Sequence, residues 1–343
     1  MSAAPVKKVL LVGDFPPPHG GVATHVEELF HSARDRGAEC EVLDIGKGQL
    51  PAQGVVPSGG MPRFSSLLIG FAARGFRVHV HTNGANPRSW MLAQACAAAG
   101  RLSGGALITL HSGLLPAWLG EIPSRGVMAR AVLGQFAHVI AVSSPIRDAL
   151  ARCGVRNVDV VPAFSSEFVK PGLPPPGLDE LRAAARPLYC AMIAPRPEYG
   201  AEILLDAFAR VRSRLPAASL ALYGPGSESV HADGVQGFGE IPRARALALM
   251  AACDVFVRPT LADGDSVSVR EALALGRPVV ATSVGHRPDG VRLVPPGDAA
   301  ALAEALATAA GGEALAAAPA ANGVQRILSL YGLEAACVAS AVS

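Results

Sequence analysis

The run Arg258-Pro-Thr-Leu-Ala-Asp-Gly-Asp-Ser-Val-Ser-Val-Arg-Glu271, continuing as Ala-Leu-Ala-Leu-Gly-Arg-Pro-Val-Val-Ala-Thr282, decides how the chain folds. Val269, Ala272, Leu273 and Leu275 open an apolar periodicity of helical type. Gly276 ends it, and Pro278-Val-Val-Ala281 reads as a buried strand. Two carboxylates, Asp263 and Glu271, stand eight positions apart, one before the helix and one inside its first turns. Both can face a single crevice. The free backbone N–H groups between them suit an anion or sugar hydroxyls. The plainer reading of the same segment is a capped helix, with Asp263 or Ser266 as N-cap and Glu271 on the surface.

Outward from that run, strands and helices alternate along the whole chain. Lys8–Gly13 is a strand by composition. Val22, Val26, Leu29, Phe30 and Ala33 mark one face of a helix ending at Gly37, and Glu41–Ile45 supplies the next strand. Such a unit belongs to a parallel sheet. Strand-like runs recur at Arg77–His81, Ala106–His111, His138–Val142 and Val158–Val161, with helices around Pro87–Ala99 and Pro145–Arg152. A Pro-rich stretch follows, and then a second alternation: strand Leu188–Ile193, helix Ala201–Arg214, strand Ser219–Tyr223, helix Arg243–Ala252, strand Asp254–Val257 and the quoted run. Val291–Val294, an Ala-rich helix over 298–310 and a helical pattern over 320–341 complete it. The expectation is two doubly wound α/β domains. They are an N-terminal one over 1–165 and a second over 188–315, with a connector at 166–187 and a final helix over 316–343 crossing back to the first domain.

At 343 residues two ordinary domains fit. Aromatics are only 5% of the chain while half the residues are hydrophobic, so the cores must be built from small aliphatic side chains. The net charge of +2 conceals a division: residues 1–162 carry 15 Lys/Arg against 10 Asp/Glu, and residues 163–343 carry 15 against 18. A basic first half can attract phosphate or an anionic membrane surface. Six scattered cysteines include no C-x-x-C pair, which speaks against a zinc site or a disulfide framework. Met-Ser-Ala-Ala-Pro-Val-Lys-Lys leads straight into a strand and does not read as a secretory leader. Leu114–Val142 is apolar but broken by Pro116, Glu121, Pro123, Arg125 and Arg130, so no membrane span is expected. A cytoplasmic protein is expected, peripheral at the inner face of the membrane if the basic half meets lipid.

Three further stretches carry chemistry. Asp14-Phe-Pro-Pro-Pro-His-Gly-Gly-Val22 joins the first strand to the first helix. It is too long for a dinucleotide fingerprint, which argues against an oxidoreductase. Gly20 and Gly21 would let backbone N–H groups approach a phosphate without Cβ obstruction. His25, one turn into that helix, is expected at the surface or between domains. His111 ends a strand at the edge where α/β sheets bind ligands, and His81 ends another. Tyr223-Gly-Pro-Gly-Ser-Glu228 and Val235-Gln-Gly-Phe-Gly239 supply two glycine turns in the second half.

In order and spacing these stretches resemble the retaining nucleotide-sugar glycosyltransferases of family 4 (glycosyl transferases group 1), which have the GT-B fold: two Rossmann-like domains facing across a cleft. The pair Asp263 and Glu271 is similar to the family's acid-x7-acid signature, with Asp where Glu is usual. Pro16-Pro17-Pro18-His19-Gly20-Gly21-Val22 is similar to its P-P-x-x-G-G-V loop. The resemblance implies a nucleoside-diphosphate sugar as donor and no cofactor. Asp263 and the backbone of Gly264, Asp265, Ser266 and Val267 would hold the donor hexose, and Glu271 the ribose. Gly20 and Gly21 would border the diphosphate, and His111 would lie near the reacting sugar. The family's diphosphate clamp, Arg and Lys five residues apart, falls here on Ala194 and Tyr199. Arg196 between them is the expected substitute, with Arg258 a further candidate. Asp263-Gly-Asp265 is formally a D-x-D pair, yet the family uses this position without metal. Expected partners are the donor and a glycan or polyprenyl-diphosphate-linked acceptor, as in surface polysaccharide assembly. Leu114, Leu115, Trp118 and Leu119 beside Arg125 and Arg130 are the expected lipid-facing patch. A partner subunit without activity, or a sugar-nucleotide epimerase of the same fold, would carry the same resemblance.

Overall fold

The structure, a computed structural model, describes residues 8–17, 20–48, 50–311 and 322–333. Contacts divide them into two units. One comprises the described residues through Ser165 together with those from Asn322 on, and the other begins at Ser166.

The first unit runs β1 (Lys8–Gly13), α1 (Gly21–Asp35), β2 (Glu39–Asp44), β3 (Val55–Pro57), α2 (Met61–Ala73), β4 (Arg77–Thr82), α3 (Pro87–Gly100), β5 (Leu107–Leu110), α4 (Leu115–Glu121), α5 (Pro123–Leu133), β6 (His138–Ala141), α6 (Ser144–Arg152) and β7 (Val158–Val160). Its seven strands lie in the order β3-β2-β1-β4-β5-β6-β7, every neighbouring pair parallel. A parallel sheet is covered on both faces, so its strands are short continuous apolar runs. Val9 through Val12 are wholly buried, and each such side chain contributes about 1.5–3 kcal/mol of burial free energy. The short edge strand β3 and the helix α2 were not expected from the sequence. β3 is three residues ending in proline, and α2 mixes Gly70 and two serines into an apolar run whose Met61 and Ile69 stay exposed.

The second unit runs α7 (Leu178–Ala184), β8 (Leu188–Met192), α8 (Ala201–Arg214), β9 (Ser219–Tyr223), β10 (Val235–Gly237), α9 (Arg243–Ala252), β11 (Val255–Arg258), α10 (Val267–Ala274), β12 (Val279–Thr282), β13 (Val291–Val294) and α11 (Ala299–Ala309). Its sheet order is β10-β9-β8-β11-β12-β13, again all parallel. Alternation along β8 feeds two cores. Tyr189, Ala191 and Ile193 pack with α8 and α11, while Leu188 and Cys190 pack with α9 and α10. The stretch read as a connector packs as part of this unit: Leu178 and Ala185 are buried in the second core. Arg182 forks onto Asp254 with bonds of 3.0 and 2.8 Å.

The chain then returns to the first unit. Ser165 and Asn322 form an antiparallel bridge. Gly323 N donates to Phe164 O at 2.9 Å, and α12 (Gly323–Leu330) packs on α1. An added Cβ at Gly323 would lie 1.8 Å from Pro162 O, so this return admits no side chain. Beyond α12, the Tyr331 hydroxyl bonds His79 Nδ1 in the interior. The part of the 320–341 helical pattern beyond Leu333 lies outside the described residues, as do Pro18 and His19. Among the described residues no helix is long and apolar enough to cross a membrane.

Candidate active site

In open parallel sheets, ligands bind outside the carboxyl ends of the strands where the strand order reverses. In the second unit that point lies between β8 and β11, and in the first between β1 and β4. The residues singled out in the sequence gather at these two places.

At the β8/β11 point, β11 ends in Arg258 and the loop through Asp263 to Ser266 delivers the chain to α10. Asp263 is held from all sides. Its Oδ2 accepts from Arg258 Nε at 3.1 Å, Arg287 Nη2 at 3.2 Å and Thr260 Oγ1 at 3.3 Å, and its Oδ1 accepts from Gly264 N at 3.0 Å. Burial alone would raise its pKa. Arg258, then Arg287 and the Gly264 N–H outweigh burial and hold the carboxyl below its ordinary range. Gly285 completes the loop: its φ is +69°, and a Cβ there would sit 2.4 Å from Gly264 O. His286 N donates to that same oxygen at 2.7 Å.

The capped-helix reading fails. Ser266 occupies the N-cap of α10, yet no side chain accepts from the helix's first N–H groups. Ser266 Oγ turns to Ser268 Oγ instead, at 3.2 Å. The N–H groups of Val267, Ser268 and Val269 are left for another acceptor, and Arg270 N is the first to donate within the helix, to Ser266 O at 3.3 Å. Asp265 pairs with Arg270 at 2.7 Å, and its other oxygen is buried without a partner. Glu271 is not on the surface. It is 6% exposed and accepts from Arg243 Nε at 2.8 Å. Burial raises its pKa against the opposing pull of Arg243.

Arg196 lies on the loop after β8, exposed, with no side-chain partner among the described residues. Arg258 is 8% exposed; its guanidinium sits 5.1 Å over the Tyr199 ring and its Nη1 lies 3.5 Å from Met192 Sδ. A cation thus lies against the residue at 199, delivered from the neighbouring strand. Arg243, Thr260, Gly285 and Arg287 were not found in the sequence. No spacing links Arg243 to Glu271 or Arg287 to Asp263.

At the β1/β4 point, Gly20 caps α1 in an extended conformation, and no side chain caps the helix. An added Cβ at Gly20 would meet nothing within 4 Å, so packing within the unit does not demand glycine there. His111 is half-buried beyond β5, its N–H bonded to Thr82 O at 3.0 Å. It belongs to a cluster of four imidazoles. His25 is not at the surface but 1% exposed, its ring 5.6 Å from that of His81 and 5.7 Å from that of His111. His81 Nδ1 and His111 Nε2 are 3.2 Å apart. The His79 ring lies 4.2 Å from that of His81, tilted by 37°, and bonds Thr109 Oγ1 at 2.8 Å. The signal was Val78-His79-Val80-His81, since a period of two puts both histidines on one face of β4. Among the described residues no three His, Cys, Asp or Glu side chains are arranged to hold a metal ion.

The patch read as lipid-facing is mostly interior. Leu115 and Leu119 are buried in the core, and Trp118 stacks on Trp90 under the Arg125 guanidinium. Leu114, Ile122 and Val127 remain exposed along α4 and α5.

A family model described as Glycosyl transferases group 1 matches residues 186–311, and one described as Glycosyltransferase Family 4 matches residues 19–164. The chain belongs to the group 1, family 4 type of glycosyltransferases, and it is a glycosyltransferase of GT-B type. Similar solved structures include Anabaena HepE in complex with UDP and glucose, at 19% identity and a TM-score of 0.66 over 94% of this chain and 95% of that one. Sucrose-phosphate synthase from Thermosynechococcus elongatus matches at 18% identity with a TM-score of 0.67 over 94% and 95%. An E. coli structure described as trehalose-6-phosphate bound with UDP-2-fluoro glucose matches at 13% identity with a TM-score of 0.62 over 95% and 94%. At these identities they establish the fold. No curated protein matches the chain by sequence.

Two predictions follow from the charges. His25 is pushed down to about 4 by burial, and burial lowers His79, His81 and His111 as well. Folded imidazoles then bind protons less tightly than unfolded ones, so the first unit loses stability as pH falls from about 6.5 toward 4. For His25 alone the loss is on the order of 3 kcal/mol. Trp90 and Trp118, the chain's two tryptophans, both lie in this unit. The urea midpoint read by tryptophan fluorescence should therefore be lower at pH 5 than at pH 7.5. In the second unit, Asp263→Asn leaves two buried guanidiniums without their shared carboxylate. It should destabilise that unit by about 3–5 kcal/mol, seen by calorimetry as an earlier transition with the tryptophan-reported one unmoved.

Proposed function

We propose that the protein transfers a hexose, with retention, from a nucleoside-diphosphate sugar to a glycan or lipid-linked acceptor in surface polysaccharide assembly, and that it needs no cofactor. The observation that carries this reading is the pair Asp263 and Glu271 on either side of an uncapped helix start, at the switch point of the second unit. Glu271 accepts from ribose hydroxyls, and the open N–H groups of α10 take oxygens of the donor. Asp263, with both oxygens already engaged, shapes the loop of Gly264, Asp265, Ser266 and Val267 around the hexose. Arg196, unpaired and exposed, meets the diphosphate, and Arg258, held against Tyr199, is the further cation available to it. UDP in two of the similar structures makes it the first nucleotide to try.

In the proposed reaction the acceptor hydroxyl attacks the anomeric carbon on the face the diphosphate leaves. A leaving phosphate oxygen takes the hydroxyl proton as the bond to the sugar breaks. Such a site works by positioning and electrostatics, without a side-chain nucleophile. Gly20 and Gly21, with no side chain over the start of α1, suit close approach of the diphosphate. His111 suits contact with the reacting sugar.

Losing hydrogen bonds to a charged acceptor costs about 1.5–3 kcal/mol. Glu271→Gln should weaken UDP binding roughly 10- to 100-fold by calorimetry, while its oxygen still accepts from Arg243. Arg196→Ala should weaken UDP far more than uridine. Unaltered UDP affinity in the first variant, or equal losses in the second, would remove the assigned roles. A lipid-linked acceptor predicts salt-sensitive attachment to membranes through the basic first unit and exposed Leu114, Ile122 and Val127, since each Lys or Arg near an anionic surface contributes about 1 kcal/mol. Anionic vesicles should co-sediment the protein at low salt and release it at high salt. Failure to bind at low salt sinks the membrane claim and leaves the transfer reaction standing.

A further inference from the structure

The four-imidazole cluster of the first unit fixes something the resemblance does not supply: which nitrogen of His111 carries its proton. His81 Nδ1 and His111 Nε2 share one hydrogen bond of 3.2 Å. In a neutral imidazole one nitrogen donates and the other accepts, so the bond can be arranged in two ways. In the first, His81 donates from Nδ1, leaving its buried Nε2 as a bare acceptor, and His111 keeps its own proton on Nδ1. In the second, His111 donates from Nε2, and His81 must carry its proton on Nε2. That nitrogen is buried and has no hydrogen-bond partner. His25 beside it, also without partners at either nitrogen, already holds one N–H with no acceptor. The second arrangement would thus bury two unsatisfied N–H groups side by side, each at the full cost of its desolvation. The first leaves His81 Nε2 unpaired as well, but as an acceptor beside the His25 ring and not as a second donor, and a buried N–H without an acceptor is the rarer and less tolerated of the two.

We infer that His81 is a positioning residue that fixes the proton of His111 on Nδ1, so that His111 meets an oxygen of its ligand as a neutral hydrogen-bond donor and not as a base. His111 Nδ1 has no bond among the described residues, and His111 is the half-buried member of an otherwise buried set. The groups facing the cluster are His25 from α1, His79 and His81 from β4 and Tyr331 beyond α12, with Arg77 and His138 acting on His79. Among the described residues no carboxylate acts on any of the four imidazoles, so none there stabilises an imidazolium. A donor at this point can polarise or hold a sugar hydroxyl or phosphate oxygen through the whole neutral range. It cannot remove the acceptor's proton, consistent with the leaving phosphate doing so. The ligand's identity rests on the proposed transfer, but the proton's position does not.

Histidine 15N–1H correlation spectra of the labelled protein at pH 7.5, assigned with His111→Gln, test the inference without any substrate. His111 should show a protonated Nδ1 and an unprotonated Nε2. A protonated Nε2 on His111 overturns the proposal. In His81→Leu, which replaces a buried polar group by an apolar one, His111 should lose this preference and take up a proton at higher pH. In His81→Gln, whose side-chain amide can donate to Nε2, the wild-type pattern should return. An unchanged His111 in the folded Leu variant overturns the proposal, because a merely structural His81 would leave the tautomer alone. Should His81→Leu fail to fold by tryptophan fluorescence, the wild-type spectrum still decides. Where transfer is measurable, kcat/KM should be flat from pH 6 to 8 in wild type and His81→Gln, and should gain an ionisation in His81→Leu. Absence of transfer would count against the proposed function and leave the spectra to judge His81.

Discussion

A parallel sheet covered on both faces leaves the chain few places to present polar groups without breaking a core. Each crossover must return over a face, so interior strands spend their side chains on packing. The loops at the carboxyl edge are left for chemistry. Both units obey this constraint, and its effect is visible residue by residue. Cys190, Phe256 and Val280 disappear into cores, while the first polar residues beyond β5 and β8, His111 and Arg196, are site candidates. The same constraint explains the abundance of small side chains, since helices must lie close on both faces of each sheet.

At the carboxyl edge of the second unit, charge is compensated before any ligand arrives. Asp263 serves two guanidiniums and Glu271 serves one. Asp, shorter by one methylene than the usual Glu, fits a role in which the carboxylate is clasped by Arg258 and Arg287 and kept near its own backbone at Gly264. The acid then acts as the keystone of the loop, and the loop's backbone does the presenting. Glu271 differs, because a single guanidinium leaves its second oxygen without a bond among the described residues. The two members of one signature are therefore unlike in what they can still accept.

Much of this was legible in the sequence, for a physical reason: buried parallel strands are apolar runs, and β1, β9, β13 and α8 match their expected bounds. β3 and α2 were not legible, because a three-residue edge strand and a helix diluted with Gly and Ser carry little periodic signal. The motif residues were found, but their partners were not. Arg243 and Arg287 meet Glu271 and Asp263 through tertiary folding, 28 and 24 positions away. His25 was placed at the surface or between domains, since an α1 histidine says nothing about what β4 and β5 bring against it. Leu115 and Leu119 were assigned to a lipid-facing patch because an apolar run looks the same whether a core or a membrane receives it.

The bridge between Ser165 and Asn322 makes the second unit an insertion within the first. On the ribosome, the first unit therefore cannot be finished in chain order. Its seven strands are all made before the inserted unit begins, yet α12 and Tyr331 arrive only after that unit has been synthesised. Throughout that interval α1 lacks its covering helix, and the buried His79 has no phenol at Nδ1. The inserted unit, contiguous in the chain, can complete its own sheet first, and closure of the earlier half waits on α12 and Tyr331 to emerge.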